Sequence, residues 1–242
     1  MQLIARLRDR AEMLTPPLPW DRPRWRDNHG PVVVLLHGLW RGLHAMEPLA
    51  RELHAEGFAT LNVPYPSTRM PIPRLVGRLG AELASIDSLA PGRPIHFITH
   101  SLGGILLRSL LAESPDIPVG RVVMLAPPNG GSEIVDWSQQ HPLIHRLLGP
   151  AGRSLGSEGV PKSLPPLPES IEAAVIMGRR CSLPLFRNLL DADNDGIVSV
   201  DKGKIDGLRG FSVIDADHTF IQVHPEAIRL CLRFLGSGEW AD

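Results

Sequence analysis

Ser101, Asp195 and His218 have the residue types and the chain order needed to make a hydroxyl nucleophilic. A serine hydroxyl is a weak nucleophile at neutral pH. It gains strength from an adjacent base, most often a histidine that a carboxylate holds in position. Ser101 lies in Ile95-His-Phe-Ile-Thr-His-Ser-Leu-Gly-Gly-Ile-Leu-Leu107, where a short apolar run breaks at Thr99 to Gly104 and resumes rich in leucine. This pattern predicts a strand, a sharp turn carrying the serine, and a helix whose positive N-terminal end is directed at the hydroxyl. Such a turn needs small residues two places before and two after the serine. Gly103 meets the second need, and Thr99 stands where glycine is usual, giving T-x-S-x-G. The alternative is a serine on an ordinary strand-to-helix loop.

The base is expected from Asp215-Ala-Asp-His218-Thr-Phe-Ile221, between the last predicted strand and the last helix, with His224 as second choice. His54, His96, His141 and His145 fall within elements or in an irregular stretch and read as packing or surface residues. His100 neighbours the serine but is expected to point away in a structural role, and His37 is expected to shape its loop. The carboxylate is expected from Asp191-Ala-Asp-Asn-Asp-Gly-Ile-Val198. Asp195 is preferred because Gly196 and the apolar Ile197-Val198 would hold it firmly, and Asp193 comes second. This stretch has two rival readings, an acidic surface turn and the start of an EF-hand calcium loop. Against the latter, the twelfth position is Lys202 rather than glutamate. No cofactor is required. The aspartates permit a structural calcium ion beside Asp193 and Asp195 without demanding one. Developing negative charge on a substrate oxygen would need two backbone N–H groups. Leu102, directly after the serine, and Leu39, after His37-Gly38, are placed to supply them, each worth about 3 kcal/mol.

These side chains need a scaffold. Val32 to Leu36 is a continuous aliphatic run suited to a strand buried on both faces, and its end carries the His37-Gly38 turn. Further strands are predicted at 58–63, 95–98, 121–126, 173–177 and 211–214, with helices at 45–56, 71–89, after Ser101, and at 221–235. Alternating strands and helices imply an α/β fold with a mostly parallel central sheet and helices on both faces. Ligands of such sheets bind at the carboxyl ends of the strands. Residues 1–31 read as an N-terminal helix (Leu3, Ile4, Leu7, Ala11, Leu14) followed by a proline-rich arm, and 32–242 as a single domain. Asp136 to Pro168 breaks the rhythm with one helical patch, Leu143, Ile144, Leu147 and Leu148, and then Gly, Pro and Ser.

Composition narrows the partners. The chain is 43% apolar and 21% charged, with a formal charge of −1, ordinary for a globular protein and without the basic stripe of a nucleic-acid binder. Cys181 and Cys231 have no metal-type spacing and read as two thiols rather than a disulfide. No run approaches the roughly 18 apolar residues of a membrane span, and no secretory signal is visible, so a soluble cytoplasmic protein is expected. The arginine-rich face of the N-terminal helix offers membrane-surface contact as an alternative to packing on the body. Oligomeric state leaves no trace in the sequence.

Five motifs in this order resemble the α/β-hydrolase superfamily, and within it the small bacterial lipases and esterases. They are Leu35-Leu36-His37-Gly38-Leu39, Thr99 to Gly104, Ala126-Pro-Pro-Asn-Gly-Gly-Ser132, Asn194 to Val198, and His218-Thr-Phe220. The resemblance implies Ser101 as nucleophile, Asp195 as acid, His218 as base, and the amides of Leu39 and Leu102 as the oxyanion hole. It implies a lid over about 133–168, with the leucine-rich patch lining an acyl pocket, and an ester or lipid substrate with an apolar acyl chain. Thioesterase, amidase or acyltransferase chemistry, or binding without catalysis, would fit the same fold.

Overall fold

The computed structural model describes residues 10–19, 21–86, 90–182, 189–190 and 193–240. Most of the predicted N-terminal helix, Trp20, the end of the 71–89 helix and Asp191 lie outside them. Residues 10–13 are helical, and Met13 is buried.

Seven strands form one sheet: β1 (Arg24–Arg26), β2 (Val32–Leu36), β3 (Ala59–Val63), β4 (Ile95–His100), β5 (Val119–Leu125), β6 (Glu172–Gly178) and β7 (Gly210–Ile214). Their spatial order is β1-β3-β2-β4-β5-β6-β7, and every pairing is parallel except β1 with β3. The unbroken apolar run of β2 is explained by its place near the middle. Val32, Val34 and Leu36 enter one core layer and Val33 and Leu35 the other. Helices α2 (Ile72–Ala84) and α3 (Leu102–Glu113) cover the first layer. Helices α1 (Glu47–Ala55) and α8 (Pro225–Ser237) cover the second. The sheet is the expected one, closed by helices on both faces. No helix among the described residues is long and apolar enough to cross a membrane.

Three elements differ from expectation. The proline-rich arm, expected to be extended, also pairs with the sheet. Arg24 to Arg26 adds an antiparallel edge strand, where the neighbouring Pro23 leaves no ladder bond unmade, and Glu47 accepts ion pairs from Arg24 and Arg26. The closing helix begins at Pro225 rather than Ile221. Proline holds His224 extended (ψ 129°), so 221–223 form a separate 3-10 turn. The irregular stretch holds four short helices, α4 (Glu133–Ser138), α5 (Pro142–Leu147), α6 (Gly149–Arg153) and α7 (Val160–Ser163).

Within that stretch, Leu143, Ile144 and Leu147 do not line a pocket. They are 81%, 38% and 62% exposed. The cause is a single anchor on α5: the ring of His145 faces the body, its Nδ1 3.0 Å from the buried Ser138 hydroxyl. At about 100° per residue, positions two before and two after His145 point to solvent, while Leu148, three after, turns inward.

Candidate active site

The chain runs from β2 outward to β3, then crosses back to β4 on the other side of β2. The crevice between the carboxyl ends of β2 and β4 is therefore a topological switch point. His37-Gly38-Leu39 leaves β2 on one side of it, and Ser101 leaves β4 on the other.

Ser101 sits between β4 and α3 with φ 51° and ψ −119°, a conformation that costs an L-residue about 1–3 kcal/mol. The packing around it holds that conformation. Its N–H donates to Leu125 O at 2.9 Å, tying the turn to β5. A Cβ on Gly103 would stand 2.7 Å from Leu36 O, so only glycine lets α3 start this close to β2. A Cβ on Gly104 would lie 3.3 Å from Thr99 Oγ1, so the second glycine leaves room for the threonine at the first position of the elbow.

His218 Nε2 lies 3.0 Å from Ser101 Oγ, and His218 Nδ1 lies 2.7 Å from Asp195 Oδ2. The structure thus brings the predicted serine, histidine and aspartate into one hydrogen-bonded run. The carboxylate only accepts, so Nδ1 carries the proton and Nε2 is left to accept from the serine hydroxyl. Asp195 is fully buried, and its Oδ1 accepts from the N–H groups of Ile197 (2.9 Å) and Val198 (2.8 Å). His218 N–H also donates to Asp195 O at 3.1 Å. Both oxygens of Asp195 are taken by N–H donors, a set that does not fit a cation. The runners-up are elsewhere: the Asp193 side chain is exposed, and His224 caps α8 away from the cavity lining.

The two leucines stand on either side of the serine. Leu102 is the first residue of α3, and Leu39 lines the cavity with Ser101. Among the described residues neither backbone N–H has an acceptor. Gly38 permits this approach, since a Cβ there would fall 3.2 Å from Ser101 Cβ and 2.9 Å from His100 Nδ1.

His37 holds the structural role expected of it, whereas His100, expected to point away, makes a structural bond and also lines the cavity with Ser101. His37 Nδ1 donates to Gly38 O at 2.9 Å, and its Nε2 accepts from Tyr65 N at 3.2 Å. Its ring stacks on Tyr65, whose hydroxyl donates to His37 O. Burial pushes the His37 imidazole down to about 4, so it stays neutral at neutral pH. His100 Nε2 donates to His218 O at 2.8 Å. Burial first, and then the neighbouring His218, holds His100 well below the usual histidine range.

Over these groups opens a cavity of about 330 Å³, walled chiefly by Leu39, Ile134, Val135, Leu148, Leu155 and Ile197. Four of the walls, Ile134, Val135, Leu148 and Leu155, come from the 133–168 stretch, although only Leu148 belongs to the patch singled out from the sequence. Sequence reasoning missed three supports. Tyr65 props the His37 turn. Asp217 accepts from the N–H groups of Thr219 and Phe220 (both 3.1 Å) and pairs with Arg180. Arg41 also lines the cavity. Asp-x-Thr-Phe is a capping signal that was legible; Tyr65 and Arg41 had none.

No protein-family model matches the sequence, and no curated protein sequence matches it. Solved structures do. A lipase of Bacillus licheniformis in its mature form superposes with a TM-score of 0.73 at 19% identity, over 88% of this chain and 96% of that one. A metagenomic carboxyl esterase gives 0.66 at 21%, over 87% and 80%. A monoacylglycerol lipase of Paleococcus ferrophilus gives 0.59 at 16%, over 90% and 100%. At such identities the likeness is one of architecture, and the architecture these proteins share with this chain is the α/β-hydrolase fold.

Proposed function

We propose that this protein is a serine hydrolase that cleaves carboxylic esters through an acyl-enzyme. The observation that carries the reading is the hydrogen-bonded run from Asp195 through His218 to a strained Ser101 at the base of an apolar cavity. Ser101 Oγ attacks the ester carbonyl as its proton passes to His218 Nε2. The amides of Leu39 and Leu102 receive the negative oxygen, and Asp195 steadies the imidazolium. The carbon–oxygen bond to the alcohol breaks as His218 returns the proton to the leaving oxygen. Water, deprotonated by the same nitrogen, then attacks the acyl-enzyme, and the acid leaves as Ser101 regains its proton. The apolar walls suit an aliphatic acyl chain, and residues 133–168 act as a cap that completes them.

The reading is tested with 4-nitrophenyl esters of graded chain length and a fluorophosphonate probe. Wild-type protein is expected to turn over the esters and to be labelled, while Ser101→Ala loses labelling and drops turnover by roughly 10⁶. Folded wild-type protein that neither hydrolyses an ester nor takes the label would overturn it.

A further inference from the structure

A guanidinium facing an apolar cavity needs an anion or several carbonyls to offset its lost hydration. Among the described residues, the buried and half-buried arginines meet that need, with one exception. Arg24 and Arg26 share Glu47, Arg93 reaches Asp27, and Arg121 pairs with Glu172. The buried Arg108 donates to Asn129, Leu164 and Pro165. Arg41 differs. It is half-buried and lines the cavity that holds Ser101 and His218. Its single side-chain bond goes to the carbonyl of its neighbour Trp40 at 3.2 Å, and no carboxylate pairs with it among the described residues. Most of its five N–H donors are left over. The aspartate nearest the chemistry does not serve, because Asp195 is sealed off and already engaged by His218 and two amides.

The backbone aims Arg41 there. Trp40 takes φ 60°, a left-handed conformation, and Arg41 N–H returns to Gly38 O at 3.3 Å, closing a turn that contains Leu39, the residue proposed as an oxyanion donor. Burial lowers the guanidinium's pKa without discharging it. Its charge also reaches His100, beside Ser101, adding to the effects of burial and of His218 there.

We propose that Arg41 is a specificity-determining residue and that the preferred ester carries one anionic group, a carboxylate or a phosphate, which the guanidinium receives while the rest fills the apolar walls. This rests on the ester-hydrolase reading of the same cavity. A planar fork suits either oxyanion, so the experiment separates their sources. Two matched pairs serve: the 4-nitrophenyl monoester of glutarate against its methyl-capped neutral counterpart, and butyryl glycerol phosphate against butyryl glycerol. Wild-type protein is expected to prefer the anionic member of one pair, which also tells whether the charge lies on the acyl or the alcohol side. Arg41→Gln is expected to raise KM for that member about tenfold to a hundredfold more than for its neutral counterpart. Arg41→Lys, keeping charge but not the fork, is expected to restore part of the preference. Wild-type protein that treats both members of both pairs alike overturns the assignment. So does an Arg41→Gln variant that loses equally on anionic and neutral esters. Should that variant not fold, the wild-type pairs and Arg41→Lys decide. Protein that turns over none of the esters and takes no fluorophosphonate label overturns the hydrolase reading itself, a result distinct from hydrolysis without preference.

Discussion

Replacing Asp195 with asparagine changes one atom and inverts the logic of the site. The two backbone amides that donate to Oδ1, at 2.9 and 2.8 Å, fix the side chain's orientation, because an NH₂ in that place would face two donors. The asparagine oxygen therefore stays on Ile197 and Val198, and its NH₂ takes the place of Oδ2, 2.7 Å from His218 Nδ1. An NH₂ there forces Nδ1 to accept. The ring then carries its proton on Nε2, which donates to Ser101 Oγ instead of receiving from it. With the base in the wrong tautomer, kcat is expected to fall about 10⁴-fold, near 5 kcal/mol of transition-state stabilisation. The fold should persist, since both backbone amides and the imidazole keep their partners and only the second N–H of the new amide is left without one. Asp195→Ala is the contrasting perturbation. It strands two buried amides and an imidazole N–H, at about 1–3 kcal/mol for each donor left unsatisfied, and should show a clear drop in melting temperature. The assay is steady-state hydrolysis of a 4-nitrophenyl ester, read beside the rate of fluorophosphonate labelling and a thermal melt. Asp195→Asn protein with kcat within about tenfold of wild type would refute the tautomer reasoning and remove Asp195 as the orienting carboxylate.

Two further outcomes follow from packing and burial. His37 is fully buried with its imidazole held at about 4, against 6.5 when exposed. The unfolded chain takes up this proton first. The stabilisation is therefore complete above about pH 6.5 and is lost as pH falls from there through about 4, about 3 kcal/mol in all. The urea midpoint should decline across that window, and a midpoint that stays level would refute it. Gly103→Ala places a methyl 2.7 Å from Leu36 O and 2.9 Å from Leu36 Cβ, backbone and core atoms with nowhere to move. A loss of about 1–3 kcal/mol is expected by calorimetry, and an unchanged melting temperature would count against the close approach of α3 to β2.

What could be read in advance was whatever the local chain dictates. An aliphatic run such as Val32 to Leu36 has few places to go except the middle of a two-sided sheet, and glycines beside a serine mark a backbone crossing. The order serine, aspartate, histidine then places its members at successive strand ends. What escaped depends on partners distant in sequence. Arg24-Trp-Arg26 carries no strand signal of its own and becomes one by pairing with Thr60 to Asn62. The apolar positions of α5 have the same period whether they face the cavity or water, and His145 meeting Ser138 decides between them. The start of α8 is a different case. Pro225 marks it in the sequence, but the apolar periodicity runs on through that signal to Ile221.

The same distinction explains why His100 is a histidine. Ser101 and His218 are far apart in the chain and meet through a single side-chain bond of 3.0 Å, yet a base displaced by about 1 Å can lose a hundredfold in rate. His100 supplies a second connection, from the last residue of β4 to the carbonyl of His218 at 2.8 Å. The bond from His218 N–H to Asp195 O supplies a third. The imidazole is thus held through its own peptide groups, independently of the side-chain contacts that change during a proton transfer. A lysine or arginine at position 100 would reach the same carbonyl, but its fixed positive charge would oppose the imidazolium that His218 must become. Burial and the proximity of His218 keep His100 neutral. A neutral ring that donates one hydrogen bond braces the base without competing for its proton.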